Sequence, residues 1–274
     1  MNLKKLFLIF SLVCTSCQTI YADYSSREEV IDFINYMSEK HGFDESYLES
    51  ILFKALPQER VIRIMDRQPE GTMTWARYKE IMVTESRISA GKEFIASHKS
   101  DLKKAERVYG VPAEIIASII GIETRYGRIK GNIRVIDSLS TLAFDYPRRS
   151  KFFKIQLEEF LLLSKEENFN PEEIKGSIAG AMGYGQFMPD SYRKYAVDFD
   201  QDGTRDILNN PIDAIGSVAA LSTVATLTNL FLATVYPSQS TRTEVAISNV
   251  GSDGFDLSFD KFGGGARVMY LAFQ

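Results

Sequence analysis

Apolar residues recurring at helical spacing, between capping signals and stops, constrain this chain more than any other feature. Val30, Phe33, Ile34 and Met37 share one helical face. They follow the overlapping capping boxes of Ser25-Ser26-Arg27-Glu28-Glu29 and precede a stop at Gly42. Residues 43–56 repeat the scheme, with Leu48, Ile51, Leu52 and Ala55 aligned and Pro57 as the stop. A short helix is expected over 60–65 and a loop over 68–72. Further helical patterns cover 74–83, 86–109, 113–125, 150–168 and 189–196. Strand signals are weak before residue 196, and no internal repeat is found. The expectation is a mainly α protein. A length of 274 residues, 45% of them hydrophobic, gives enough chain for a real core in one large domain or two ordinary ones.

The first 22 residues stand apart. Lys4 and Lys5 precede an apolar run from Leu6 to Val13, too short to span a bilayer, and the segment reads as a signal peptide. Cleavage after Ala22 makes the protein exported and periplasmic. Thr15-Ser16-Cys17 resembles the end of a bacterial lipobox, so an outer-membrane lipid anchor at Cys17 is the alternative, although Cys14 stands where such a box usually has Leu. Both cysteines lie in this segment, so the mature chain has no disulfide and depends on its core. Removing the segment takes the formal charge from −4 to −6. With a pI near 5.4, this is not a broadly basic nucleic-acid binder. The only histidines, His41 and His98, leave His-rich zinc sites and Ser-His-Asp catalysis without material.

Pro112 opens a helix that Gly127 closes, and within it Ile116, Ile119 and Ile120 precede Glu123 by seven, four and three residues. That spacing puts the carboxyl on an apolar face, where loss of hydration raises its pKa. Such a group holds a proton near neutral pH and donates it as a general acid. The alternative is a structural glutamate bonded to a neighbouring helix or loop. Residues 176–192 alternate glycines with Met182, Tyr184, Gln186, Phe187 and Met188. Ser177 and Gln186 supply neutral hydrogen-bonding groups, while Tyr184 and Phe187 supply flat apolar faces. The mixture suits a sugar; a tight turn packed beneath the core is the competing reading. A phosphate cradle fails for want of the Gly-Lys-Ser/Thr end. Further on, Asp198, Asp200, Asp202 and Gly203 open an EF-hand-like loop, whose alternate carboxylates converge on a hard cation. Asn209 stands at the twelfth place, where the bidentate Glu is usual. A solvated acidic turn held by Asx bonds is the alternative.

Three ordered segments carry a resemblance: Gly121-Ile122-Glu123-Thr124-Arg125-Tyr126-Gly127, Tyr146-Pro147-Arg148-Arg149, and Gly180 to Pro189. With Gly71 to Tyr78 and Tyr109-Gly110-Val111-Pro112, the chain from residue 27 to Ala219 closely resembles the membrane-bound lytic murein transglycosylase B family. The resemblance implies a lysozyme-like, mainly α catalytic domain over 23–219, with a helical part at 23–110 and a catalytic core at 111–219. It implies cleavage of the N-acetylmuramic acid to N-acetylglucosamine bond of peptidoglycan strands, without water, leaving a 1,6-anhydro ring. Glu123 is then the one catalytic group, first acid and then base. Ser177 and Gln186 touch substrate amides or hydroxyls, and Phe187 and Tyr78 line the groove. Phe152 keeps an aromatic wall where relatives often have Tyr. The acidic loop is expected to hold a structural Ca²⁺ through Asp198, Asp200, Asp202, the Thr204 carbonyl and Asp213. No organic cofactor is implied, and a monomer is expected.

The resemblance stops near Ala220. The family's β-rich region and late Asn/Tyr motif are not found in 220–274, so a reading-frame change or an alternative C-terminus is expected there. This tail is Thr-rich, with a strand-like run at Glu244 to Ser248 and a glycine run at 263–265. Three rivals to the transglycosylase remain: a muramidase that uses water, a peptidoglycan-binding protein with weak or lost turnover, and a calcium-responsive structural module.

Overall fold

In the computed structural model, the described residues are 24–66, 74–235, 245–251 and 254–259. The signal segment with Cys17 and the 68–72 loop lie outside them. Eleven α-helices dominate the described residues: α1 Glu28–His41, α2 Glu45–Leu52, α3 Glu59–Asp66, α4 Trp75–Met82, α5 Glu85–Ser97, α6 Lys99–Tyr109, α7 Ala113–Thr124, α8 Val135–Phe144, α9 Ser150–Glu166, α10 Pro189–Tyr195 and α11 Pro211–Val235. Two short strands, β1 Ile133–Arg134 and β2 Lys175–Gly176, pair antiparallel before α8 and the glycine-rich segment. Late in the chain, β3 Val245–Gly251 and β4 Gly254–Phe259 form an antiparallel hairpin with Val245 opposite Phe259. No helix among the described residues is long and apolar enough to cross a membrane.

The expected apolar faces are the buried ones. Val30, Phe33, Ile34 and Met37 of α1 and Leu48, Ile51 and Leu52 of α2 enter the core, and Gly42 ends α1 with φ +63°. Several details differ. The capping boxes at Ser25–Glu29 do not form: Tyr24–Ser26 makes a 3₁₀ turn, and Arg27 is the N-cap without a side-chain cap bond. Arg27 turns instead to Asp145 and the Phe144 carbonyl. The long pattern at 86–109 is two helices, because His98 leaves the helical conformation at ψ 28°.

The sequence reading omits the long α11 and also α8. All ten residues of α8 are buried, its Asp, Ser and Thr side chains included, so no solvent-facing side marks out a helical period. α9 packs along it, and α3 also touches it. Its polar groups tie down the N-terminal region. Asp137 accepts from Arg134 and from the Leu56 amide at 2.9 Å, and Thr141 Oγ1 accepts from the Gln58 amide at 2.9 Å. Burying Asp137 and Thr141 is tolerable because each finds partners, whereas the buried Ser140 hydroxyl finds none among the described residues. α11 runs unbroken through residue 220, packing on α6 and α7.

Candidate active site

Glu123 lies in the last turn of α7. Ile116 and Ile120 are fully buried beneath it, Ile119 is half-buried, and Glu123 itself emerges at the edge of that stripe. It is therefore not sealed in an apolar recess: water reaches it. The surrounding protein still strips enough hydration to raise the carboxyl pKa, with desolvation as the cause and no neighbouring charge contributing. Exposure together with desolvation describes a carboxyl set partly into the protein surface. The position works the same way, since the carbonyl end of a helix disfavours a negative charge. Among the described residues, no hydrogen bond or ion pair reaches the Glu123 carboxyl, so the structural alternative of a bonded glutamate has no partner to name.

The helix does not end on Gly127 as its spacing suggests. Arg125, Tyr126 and Gly127 take three successive left-handed conformations, at φ +50°, +61° and +83°. Arg125 is the C-cap, with its amide on the Gly121 carbonyl at 3.1 Å, and the Tyr126 amide reaches the Ile120 carbonyl at 3.3 Å. Two of the three are not glycine, which stores backbone strain directly after the acid. Tyr126 folds back over Gly121, where a β-carbon would meet its ring at 2.5 Å. Gly127 is equally constrained: a β-carbon there would meet the Tyr184 ring at 2.0 Å.

That contact joins the turn to the glycine-rich loop, which is tightly wound. The Ser177 amide donates to the Ala181 carbonyl at 2.8 Å, and Met182 and Phe187 exchange backbone bonds at 2.9 Å. Ser177 Oγ accepts from the amides of Ala179 (3.3 Å) and Ala181 (3.1 Å). Its own proton has no acceptor among the described residues and is left to donate outward. Gln186, at φ +50°, spends both amide protons on the carbonyls of Lys130 (3.2 Å) and Gly183 (3.0 Å). Its Oε1 is left as an acceptor. The loop thus presents one fixed donor and one fixed acceptor, both half-buried, as recognition of a neutral, hydroxyl-rich ligand requires.

The aromatic expectations divide. Phe187 is only 2% exposed and belongs to the core, so its ring fastens the loop instead of lining a groove. Phe152 is 37% exposed, edge-on to Phe153 and beneath the Arg149 guanidinium at 4.5 Å. It borders an open depression of about 430 Å³ with Arg148, Arg149, Lys151 and Ile155. Tyr78 is on α4, and its side chain lies outside the described residues. Tyr184, half-buried, offers the face nearest the acid's turn, with the Lys130 ammonium 4.8 Å from its ring centre.

In the acidic loop, carboxylate oxygens of Asp198, Asp200 and Asp202 lie within 4.8 Å of one another. Oxygens bound to one Ca²⁺ at about 2.4 Å cannot be more than roughly 4.8 Å apart, so the cluster fits that ion. The Thr204 hydroxyl at 2.5 Å, and then its amide at 2.9 Å, donate to Asp202 Oδ1, which lowers the Asp202 pKa. Asp213 is not in this cluster. It is fully buried, and its oxygens accept from the amides of Phe199 (2.7 Å), Asp200 (3.4 Å) and Asp206 (2.9 Å). Burial raises its pKa against the pull of those three donors. Asp213 closes the loop from beneath. Beyond it, the Ile207 carbonyl accepts from the Tyr184 amide at 3.1 Å and the Leu208 carbonyl from Lys130 Nζ at 2.6 Å, which joins the acidic loop to the glycine-rich one.

A mainly helical domain thus sets a desolvated carboxyl, unpaired among the described residues, on the turn that touches a glycine-rich loop. The Transglycosylase SLT domain family matches residues 25–222, and the chain belongs to that family. It is 45% identical over 206 residues to the membrane-bound lytic murein transglycosylase B of Escherichia coli (strain K12), covering 72% of this chain and 57% of that protein. The fold is similar to that of the Escherichia coli lytic transglycosylase Slt35. That structure in complex with bulgecin A gives a TM-score of 0.71 at 46% identity over 74% of this chain and 64% of that one. Slt35 in complex with calcium gives a TM-score of 0.70 with the same identity and coverage. SltB3 from Pseudomonas aeruginosa, in complex with NAG-anhNAM-pentapeptide, gives 0.66 at 33% identity over 72% of this chain and 52% of that one. The chain thus spans 57% of the length of its curated relative and about two thirds or less of these structures.

Proposed function

We propose that this chain is a peptidoglycan lytic transglycosylase, a lyase that cleaves the β-1,4 bond from N-acetylmuramic acid to N-acetylglucosamine. The observation that carries the reading is Glu123: a carboxyl with a raised pKa, reached by solvent and without a partner among the described residues. Protonated, it gives its proton to the glycosidic oxygen as the bond breaks. Left as carboxylate, it takes the proton of the C6 hydroxyl as that oxygen closes on the anomeric carbon. The proton count balances without water, and the product carries a 1,6-anhydro ring. The muramic N-acetyl group assists at the anomeric carbon, as in substrate-assisted glycosidases that dispense with a second carboxylate. Among the described residues no charge contributes to the Glu123 shift, which favours this one-acid route. The Ser177 hydroxyl donates to the sugar, and Gln186 Oε1 accepts from it.

Asp198, Asp200 and Asp202, with the Thr204 carbonyl, hold Ca²⁺ as a structural ion, and Asp213 supports their loop. The calcium complex of Slt35 supports this assignment. The signal segment, and the membrane-bound relative, favour export to the periplasm with an outer-membrane association through Cys17. Digestion of purified sacculi tests the reading. Wild type is expected to release muropeptides lighter by one water than reducing-end products, and Glu123→Gln is expected to release none. Equal release by both proteins overturns the assignment.

A further inference from the structure

We propose that Thr124 is a positioning residue, which holds the Glu123 carboxyl at a set distance from the glycan-facing loop; the inference rests on the function proposed above. Glu123 has no partner at the end of its side chain among the described residues. The direction of its carboxyl is therefore set by the backbone beneath it. That backbone runs straight into the left-handed series Arg125, Tyr126, Gly127, a conformation that Arg and Tyr rarely adopt. Something must hold it.

The Thr124 hydroxyl is placed to do so. It is 1% exposed and sits next to the acid. Its oxygen accepts from the Gly127 amide at 2.9 Å, which fixes the turn. Its single proton has two carbonyls in reach, Tyr184 at 2.8 Å and Ile120 at 3.1 Å, and the shorter bond goes to Tyr184. A threonine that only bonded back along its own helix would touch Ile120 alone. This one spans 60 residues to the loop that carries Gln186, two positions after Tyr184. Tyr184 is held from its other side too, through its amide on the Ile207 carbonyl. One hydroxyl therefore sets the spacing between the proton donor and the groups that orient the sugar. Valine matches the shape of threonine but makes neither bond.

The test uses the full chain with Thr124→Val and Thr124→Ser, with Thr124→Ala where the valine chain does not fold. On sacculi, a displaced acid lowers kcat by about ten- to a hundredfold, while KM stays within about twofold and Ser restores most of the rate. The Glu123 carboxyl, followed by ¹³C NMR titration, is expected to move down toward the ordinary glutamate range in the Val chain and to return in the Ser chain. A folded Val or Ala chain with wild-type kcat overturns the inference, as does a loss that Ser does not repair. A wild type that releases nothing from sacculi counts against the proposed function and not against Thr124. The titration then decides: an unmoved Glu123 midpoint in the Val chain overturns the inference, and a lowered midpoint restored by Ser supports it.

Discussion

Glu123 and Asp213 are both carboxyls whose pKa is raised by desolvation, yet their surroundings are opposite. Asp213 is shut away from water, and its two oxygens take three backbone amides of the acidic loop. Glu123 is reached by solvent and has no partner among the described residues. A desolvated carboxylate with several donors is a structural anchor, and its proton chemistry is spent on holding the chain. One with no donor is free to exchange its proton with whatever enters the groove. The raised pKa alone does not separate the two; the count of partners does.

The widest separation between them is expected in turnover. Glu123→Gln is expected to lower muropeptide release by about a thousandfold or more while leaving the circular dichroism spectrum and fold intact, in line with loss of a general acid. Asp213→Ala reverses the pattern. Stranding the amides of Phe199, Asp200 and Asp206 costs about 3 kcal/mol, or a fall in Tm of about 6–12 °C by calorimetry. A stable Asp213→Ala chain would remove the contrast.

The calcium effect is smaller. Calcium at ten times its Kd adds about 1.4 kcal/mol, a rise of about 3–6 °C in Tm that a chelator removes. Asp198→Ala is expected to abolish the rise, while Glu123→Gln leaves it unchanged. The smallest effect is the pH dependence of stability. Because the Glu123 pKa is raised on folding, the folded chain binds that proton more tightly than the unfolded chain. Its contribution is therefore favourable at low pH and is lost as pH rises from about 4.3, the ordinary glutamate value, through the raised one. Glu123→Gln is expected to raise Tm slightly at neutral pH, with the gain vanishing below that window. Thermal melts across pH check the sign.

Much of this architecture was legible in the residues. The stripes of α1 and α2 showed themselves because one face of each helix is wet, and Glu123 stood out because a carboxyl interrupted a row of isoleucines. What stayed hidden follows from the same physics. α8 is buried on every side, with Asp137, Ser138, Ser140 and Thr141 turned inward too, so it lacks the wet face that makes periodicity readable. Glu123 falls at the border of its stripe, a matter of neighbours that α7 alone does not disclose. Phe187 lies in an irregular loop with no period, so nothing in its sequence said whether its ring faced the core or the groove. Ser177 and Gln186 were legible as hydrogen-bonding groups, but which of their atoms remain unspent depends on Ala179, Ala181, Lys130 and Gly183. Thr124 and Asp213 act through bonds to residues far along the chain or to loop amides, and no local spacing announces those.

The claim beneath all of this is that one carboxyl, Glu123, both gives and reclaims a proton, so that no water enters the product. Digestion of sacculi in ¹⁸O-labelled water measures it directly. The account predicts anhydro-ended fragments without label, released by wild type and absent with Glu123→Gln. Fragments that carry ¹⁸O at a reducing end, or label-free fragments released equally well by the glutamine variant, would contradict it.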